Sequence, residues 1–201
     1  LVVLAALSIG VILARKLYEM RVAWTPMHTR YAVVAPALAT WALATTPAWL
    51  SAPTAAGNTF GAAGAVHLLV LGTIGFVVFG TLYHIGPFVV WSHRYSGRLG
   101  LEPVPTIDDL YSDRLAAADG VLLASGTLGL VLAEWFDGPD AVGALSGAVI
   151  CLGIVVFATN LLLVVREHSP QSLRSDRGIF VDPQRRQSLL SEPFAGFQAS
   201  S

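Results

Sequence analysis

Residues 67 to 95, HLLVLGTIGFVVFGTLYHIGPFVVWSHRY, are almost wholly apolar, yet they open on His67, carry His84 near the far end and reach His93 beyond it. So long a run is read as a helix, since about 20 apolar residues span a hydrocarbon core of about 30 Å. Four other runs share this character, and spans are expected at roughly 1–14, 31–50, 63–91, 120–136 and 141–165. Composition agrees: 54% of the 201 residues are hydrophobic and 12% charged, against about a quarter charged in soluble domains. The expected fold class is all-α, a polytopic membrane helical bundle with five transmembrane helices over residues 1–168. Residues 169–201 are polar, with Pro and Ser and no sustained period, and read as a cytoplasmic, largely disordered tail. Leu1 already lies in an apolar run that ends in ARKLYEMR, so the first span reads as truncated and not as a signal peptide.

Charge sets the orientation. Arg15, Lys16, Arg21 and Arg30 follow the first run, Arg94, Arg98 and Arg114 the third, and Arg166, Arg174, Arg177, Arg185 and Arg186 the fifth. These are all twelve basic residues; the other two connections hold none, and one of them carries Glu134, Asp137 and Asp140. Lys and Arg collect on the cytoplasmic side, so the chain is expected to start outside and end in the cytoplasm. Trp24, Trp41, Trp49, Trp91 and Trp135, near the ends of runs, read as interface anchors. The single cysteine, Cys151, excludes an internal disulfide and any cysteine-based metal cluster within the chain. The sequence has no phosphate-cradling Gly loop, nucleophile–base signature or nucleic-acid-binding basic patch.

On a wheel of about 100° per residue, Gly61, Gly64, Gly72, Gly75 and Gly86 share one stripe with Gly80 outside it. Such a face admits a second helix or a flat cofactor. His67 and His84 lie about 25 Å apart along a helix axis, so they cannot serve one metal ion. His67 reads as a haem or metal ligand, as part of a proton or substrate path, or as an interfacial hydrogen-bonding residue. His84 precedes IGPF, where Pro87 is expected to loosen the helix. Glu134 is a candidate proton-entry carboxylate, Arg94 and Arg98 suit anionic lipid heads or haem propionates, and Asn160 and Thr159 lie deep enough to bridge helices. Asp108 is the expected N-cap of the fourth span's helix, where Asp108, Asp109 and Asp113 read as a solvated start or a cation or proton site.

The residues H67-LLVL-G72 and F79-GTLYHIGPFVVWSHR-Y95 together resemble the haem-bearing segments of haem-copper oxidase subunit I relatives. The likeness is nearest to oxidase-subunit-I-like prokaryotic membrane proteins and to NnrS-type haem–copper membrane proteins of nitric oxide metabolism. It covers 30 to 50 residues and implies a haem held by His67, with His84 and Arg94 as further cofactor-binding residues. It also implies a prokaryotic plasma membrane location and a role in electron transfer, haem-dependent sensing or nitric oxide handling. The five histidines do not form the dense set of the true oxidases, so copper is not expected within this chain. The partners expected are the lipid bilayer and other membrane subunits or an upstream segment, and not nucleic acid. The rival functions are a small transporter or channel using His67, His84 and Glu134, and an assembly subunit docking through its glycine face.

Overall fold

A computed structural model describes residues 1–58 and 60–168, so the tail expected over 169–201 lies outside the described residues. Its helices are α1 (Val2–Glu19), α2 (Pro26–Ser51), α3 (Ala63–His67), α4 (Phe76–Tyr95), α5 (Asp113–Trp135) and α6 (Asp140–His168). A π-helical stretch, Leu68–Gly75, joins α3 to α4 and makes one continuous rod. Among the described residues there is no strand. Among the described residues, four helical stretches are long and apolar enough to cross a membrane: Pro26–Ser51, Gly64–Arg98, Asp113–Trp135 and Asp140–His168. α1 is not one of these four; its last turns carry Arg15, paired with Glu19 at 2.7 Å, and Lys16.

The helices outrun the apolar runs that announce them, because polar residues at their ends remain helical. α2 starts at Pro26, not near 31, because Thr25 and His28 form a capping box: the Thr25 N–H donates to His28 Nδ1 at 3.2 Å. This closes two orphan donors of the first turn and places Arg30 inside the helix. α5 starts at Asp113, capped by Ser112, whose hydroxyl accepts from the Leu115 N–H. Asp108 does not cap this helix; it opens a short 3-10 turn, Asp108–Leu110, that ends before α5 begins. Between α5 and α6 the chain turns through Asp137 in the left-handed region, φ 47°. The Gly138 N–H donates back to the Ala133 carbonyl at 2.7 Å, a Schellman-type closure.

Packing is dominated by the α5–α6 pair, which the glycines bring together. A Cβ on Gly126 would stand 2.7 Å from Ile150 and 2.9 Å from the Ser146 carbonyl, so the backbones meet where any larger residue would force them apart. The core continues through Val34, Phe76, Leu123 and Ile150. The outside is as apolar as the inside: Val77, Val78, Leu82, Ile85, Phe88 and Val89 on α4 are exposed, as are Leu152, Val155 and Leu162 on α6. A helix apolar all round belongs in a large core or a membrane.

The rod departs from the uniform wheel. The Phe76 N–H is shared between the Leu71 carbonyl five residues back and the Thr73 carbonyl, and the Thr73 side-chain hydroxyl donates to the Leu68 carbonyl. A π turn takes about 4.4 residues against 3.6, so eight such residues rotate α4 by roughly 140° relative to a uniform helix. The single glycine stripe is therefore dispersed. Gly64 meets Trp135 of α5, Gly72 meets Ala37 of α2, Gly86 meets Leu161 of α6, and Gly80 packs against Tyr31 of α2. The loosening expected at Pro87 is also displaced, because α4 is regular through that residue and the wide turns lie at 68–75.

Candidate functional site

Polar side chains gather at two places, one toward each end of the bundle. The first lies where α2 begins. Arg30, Tyr83, Asp119 and Asn160 come from α2, α4, α5 and α6, and each is 1% exposed or less. Arg30 Nη2 donates to Asp119 Oδ1 in a buried ion pair and to the Ala116 carbonyl at 2.8 Å, while Nη1 donates to the Pro26 carbonyl at 2.9 Å. Tyr83 donates its hydroxyl to Asp119 Oδ2, and its ring lies 4.4 Å under the guanidinium carbon. Asn160 Nδ2 donates to the Tyr83 hydroxyl at 3.0 Å and to the Ser112 carbonyl at 3.0 Å, while Oδ1 accepts from the Ser112 N–H. Among the described residues, Arg30 Nε is buried without a partner.

Two buried charges cost several kcal/mol each to desolvate, and only close pairing with further hydrogen bonds offsets that. Here both carboxylate oxygens are engaged, and four helices share the arrangement. Counting Arg30 as a connection residue misses this site, because the Thr25–Pro26 start places it one turn inside α2. Asp119 sits in LAAADGVLL, about 9 Å beyond the start of α5 at 1.5 Å per residue. That lone carboxylate in an apolar stretch is the signal that could have revealed the pair. Asn160 does bridge helices as its depth suggests, linking α6 to α4 and to the start of α5.

The second place is the opposite end of the α3–α4 rod. His67 Nδ1 stands 2.8 Å from Glu134 Oε2, and the two side chains are 29% and 28% exposed. α3 supplies the histidine and the last turn of α5 the carboxylate; Trp135 closes over Gly64 beside them. A carboxylate on Nδ1 fixes the ring's orientation and its tautomer, leaving the Nε2 lone pair to accept a proton or a metal.

The remaining sequence candidates fall elsewhere. His84 is exposed and stacks on Phe88 with ring centroids 6.4 Å apart. Arg94 donates to the Glu167 carbonyl at 3.0 Å and lies over the Tyr95 ring at 5.5 Å. It is roughly 40 Å along the rod from His67, so the three do not form one site. Among the described residues, no three His, Cys, Asp or Glu side chains converge as a metal centre. Trp41, expected as an interface anchor, is 4% exposed and donates to the Phe60 carbonyl at 2.9 Å, because α1 and α3 cover its face of α2. In the long connection, Asp109 accepts from the Thr106 N–H at 2.8 Å and hydroxyl at 2.7 Å, which holds its carboxyl below the usual range.

Between the two polar regions lies an apolar groove of about 270 Å³ lined by the rod, α5 and α6, with Thr127 its one hydroxyl-bearing residue. Compared with protein-family models, with curated proteins and with solved structures, the chain matches none.

Proposed function

We propose that the chain is an integral membrane protein that crosses the bilayer five times, with α1 as the first crossing, and that it binds haem through His67. The crossing count rests on the placement of all twelve basic residues in alternate connections or in the helix turns that flank them, Arg30 lying one turn inside α2. It puts His67 and Glu134 at the outer face and the Arg30–Asp119 pair toward the cytoplasm. The observation that carries the haem reading is the 2.8 Å contact between His67 Nδ1 and Glu134. Histidine ligands commonly donate the second ring N–H to a carboxylate, which orients the ring and raises its basicity. His67 Nε2 would then be the atom left to hold the haem iron, which needs no cluster of protein ligands. The oxidase-like resemblance over residues 67–95 points the same way.

A haem bound there would supply one-electron redox chemistry or capture of a diatomic gas. The residues of this chain do the rest: Glu134 holds the imidazole tautomer, and Trp135 packs on Gly64 one turn from His67. The electron-transfer, sensing and nitric oxide roles all use this arrangement. A proton or solute route through the same pair is the rival. Such a route needs polar groups leading inward, and the groove between the two polar regions is lined by apolar side chains apart from Thr127.

The test is spectroscopic. Protein expressed with ample haem is expected to purify with a Soret band, and His67→Ala to lose most of it while remaining folded. A full band in that variant moves the ligand elsewhere, and no band in the parent protein removes the haem reading.

A further inference from the structure

We propose that α4 and α6 together hold an anionic lipid, with its headgroup at Arg94 and His168 and a chain in the apolar groove. The inference rests on the membrane reading but not on haem.

The groove is lined by Val70, Ile74 and Val78 on the rod and Ile150 and Ile154 on α6, with Phe79 at its inner end. Val70, Ile74, Val78 and Ile154 are between 42% and 53% exposed, so the groove is continuous with the outer apolar surface. What enters sideways from a bilayer is hydrocarbon. The wide π turns at 68–75 form one wall of this space, and such turns commonly mark functional sites.

The charge lies further along the same two helices. At their ends Arg94 uses one N–H on the Glu167 carbonyl, and the Tyr95 hydroxyl stands 3.2 Å from His168 Nδ1. These contacts bring the ends of α4 and α6 together. His93 and Arg166 are exposed beside them. Across residues 76–95 and 141–168 the one carboxylate is Glu167. A cationic helix end at the cytoplasmic surface attracts anionic headgroups, with about 1 kcal/mol for each Lys or Arg near the surface. Ile154 lies 12 residues before Arg166, about 18 Å along the axis. One leaflet of hydrocarbon is about 15 Å, so an extended chain reaches the groove and the headgroup stays outside. Charge complementarity selects an anionic lipid over a neutral one.

The experiment uses the whole chain, purified in mild detergent and incubated with an equimolar mixture of phosphatidylglycerol and phosphatidylcholine. Native mass spectrometry then counts retained lipid. The expected result is retention of phosphatidylglycerol at least fivefold over phosphatidylcholine, a preference lost in the Arg94→Gln/His168→Gln variant. Ile74→Trp, which fills the groove, is expected to reduce retention of both lipids. Equal retention of the two lipids by the parent protein overturns the proposal. So does a preference that survives the double substitution, or a folded Ile74→Trp variant that keeps its lipid. Absence of haem alone leaves the expected lipid ratio unchanged, which separates this inference from the haem reading.

Discussion

The two polar regions are built on opposite plans. In the orientation proposed above, the inner end holds an Arg and an Asp 89 residues apart in sequence, closed off from solvent, with a Tyr and an Asn completing the arrangement. At the outer end, a His and a Glu 67 residues apart remain more than a quarter exposed and leave one ring nitrogen for another partner. A buried charge pair with both carboxylate oxygens engaged is shut off from solvent and from dissolved ligands. It ties α2, α4, α5 and α6 into one arrangement. A partly exposed pair contributes little to stability, since ion pairs open to solvent give about 0–1 kcal/mol, and it keeps its chemistry available. The contrast separates the group that fixes the fold from the group that can act.

The sharpest way to break this contrast is Asp119→Asn. The amide preserves shape but strands the Arg30 charge, and breaking a buried pair costs about 3–5 kcal/mol. Thermal unfolding in detergent should show a large fall in midpoint. The Arg30→Leu/Asp119→Leu double variant should recover much of it. If the single variant unfolds with the parent, the buried pair does not hold these four helices together.

Glu134→Gln should do the reverse. Stability is expected to move by less than about 1 kcal/mol, while the proposed haem binding predicts a haemin affinity lower by about 10–100-fold, the usual effect of losing a carboxylate behind a histidine ligand. Titration of the purified apo chain with haemin measures the second effect, and unfolding measures the first. A large loss of stability with unchanged haem affinity would erase the distinction between the two ends.

The smallest effect belongs to the edge of the inner region, where Thr106 holds Asp109. These bonds depress the Asp109 pKa in the folded chain. Their stabilising effect is therefore fully present above the unfolded value of about 3.9 and lost as pH falls through the folded value. Hydrogen exchange across residues 96–112 should rise on acidification below about pH 4, and Asp109→Asn should remove that dependence. Exchange that ignores both would show that the connection is held by other contacts, such as Trp91 Nε1 donating to the Pro105 carbonyl.

How much of this the sequence discloses depends on the range of the physics involved. Apolar runs disclose the long helices because hydropathy is local. Helix ends are less legible, since Arg30 reads as a connection residue until the Thr25 cap is recognised. Asn160 is legible as a bridge because a buried amide needs partners, but its partners Tyr83 and Ser112 depend on how distant helices pack. The pairing of His67 with Glu134 is illegible for the same reason, though each residue can be singled out alone. The dispersed glycine stripe is a different failure: a single helical period does not describe a rod that uses two.

That second period has a consequence for insertions and deletions. In a uniform helix, losing one residue between His67 and Tyr83 would swing one end about 100° against the other and pull either His67 or Tyr83 away from its partners. The π stretch Leu68–Gly75 stores surplus residues per turn, so a deletion there can be absorbed by tightening wide turns into ordinary ones. It acts as a phase adjuster, letting the outer end of the rod be re-aimed while the inner end keeps its register.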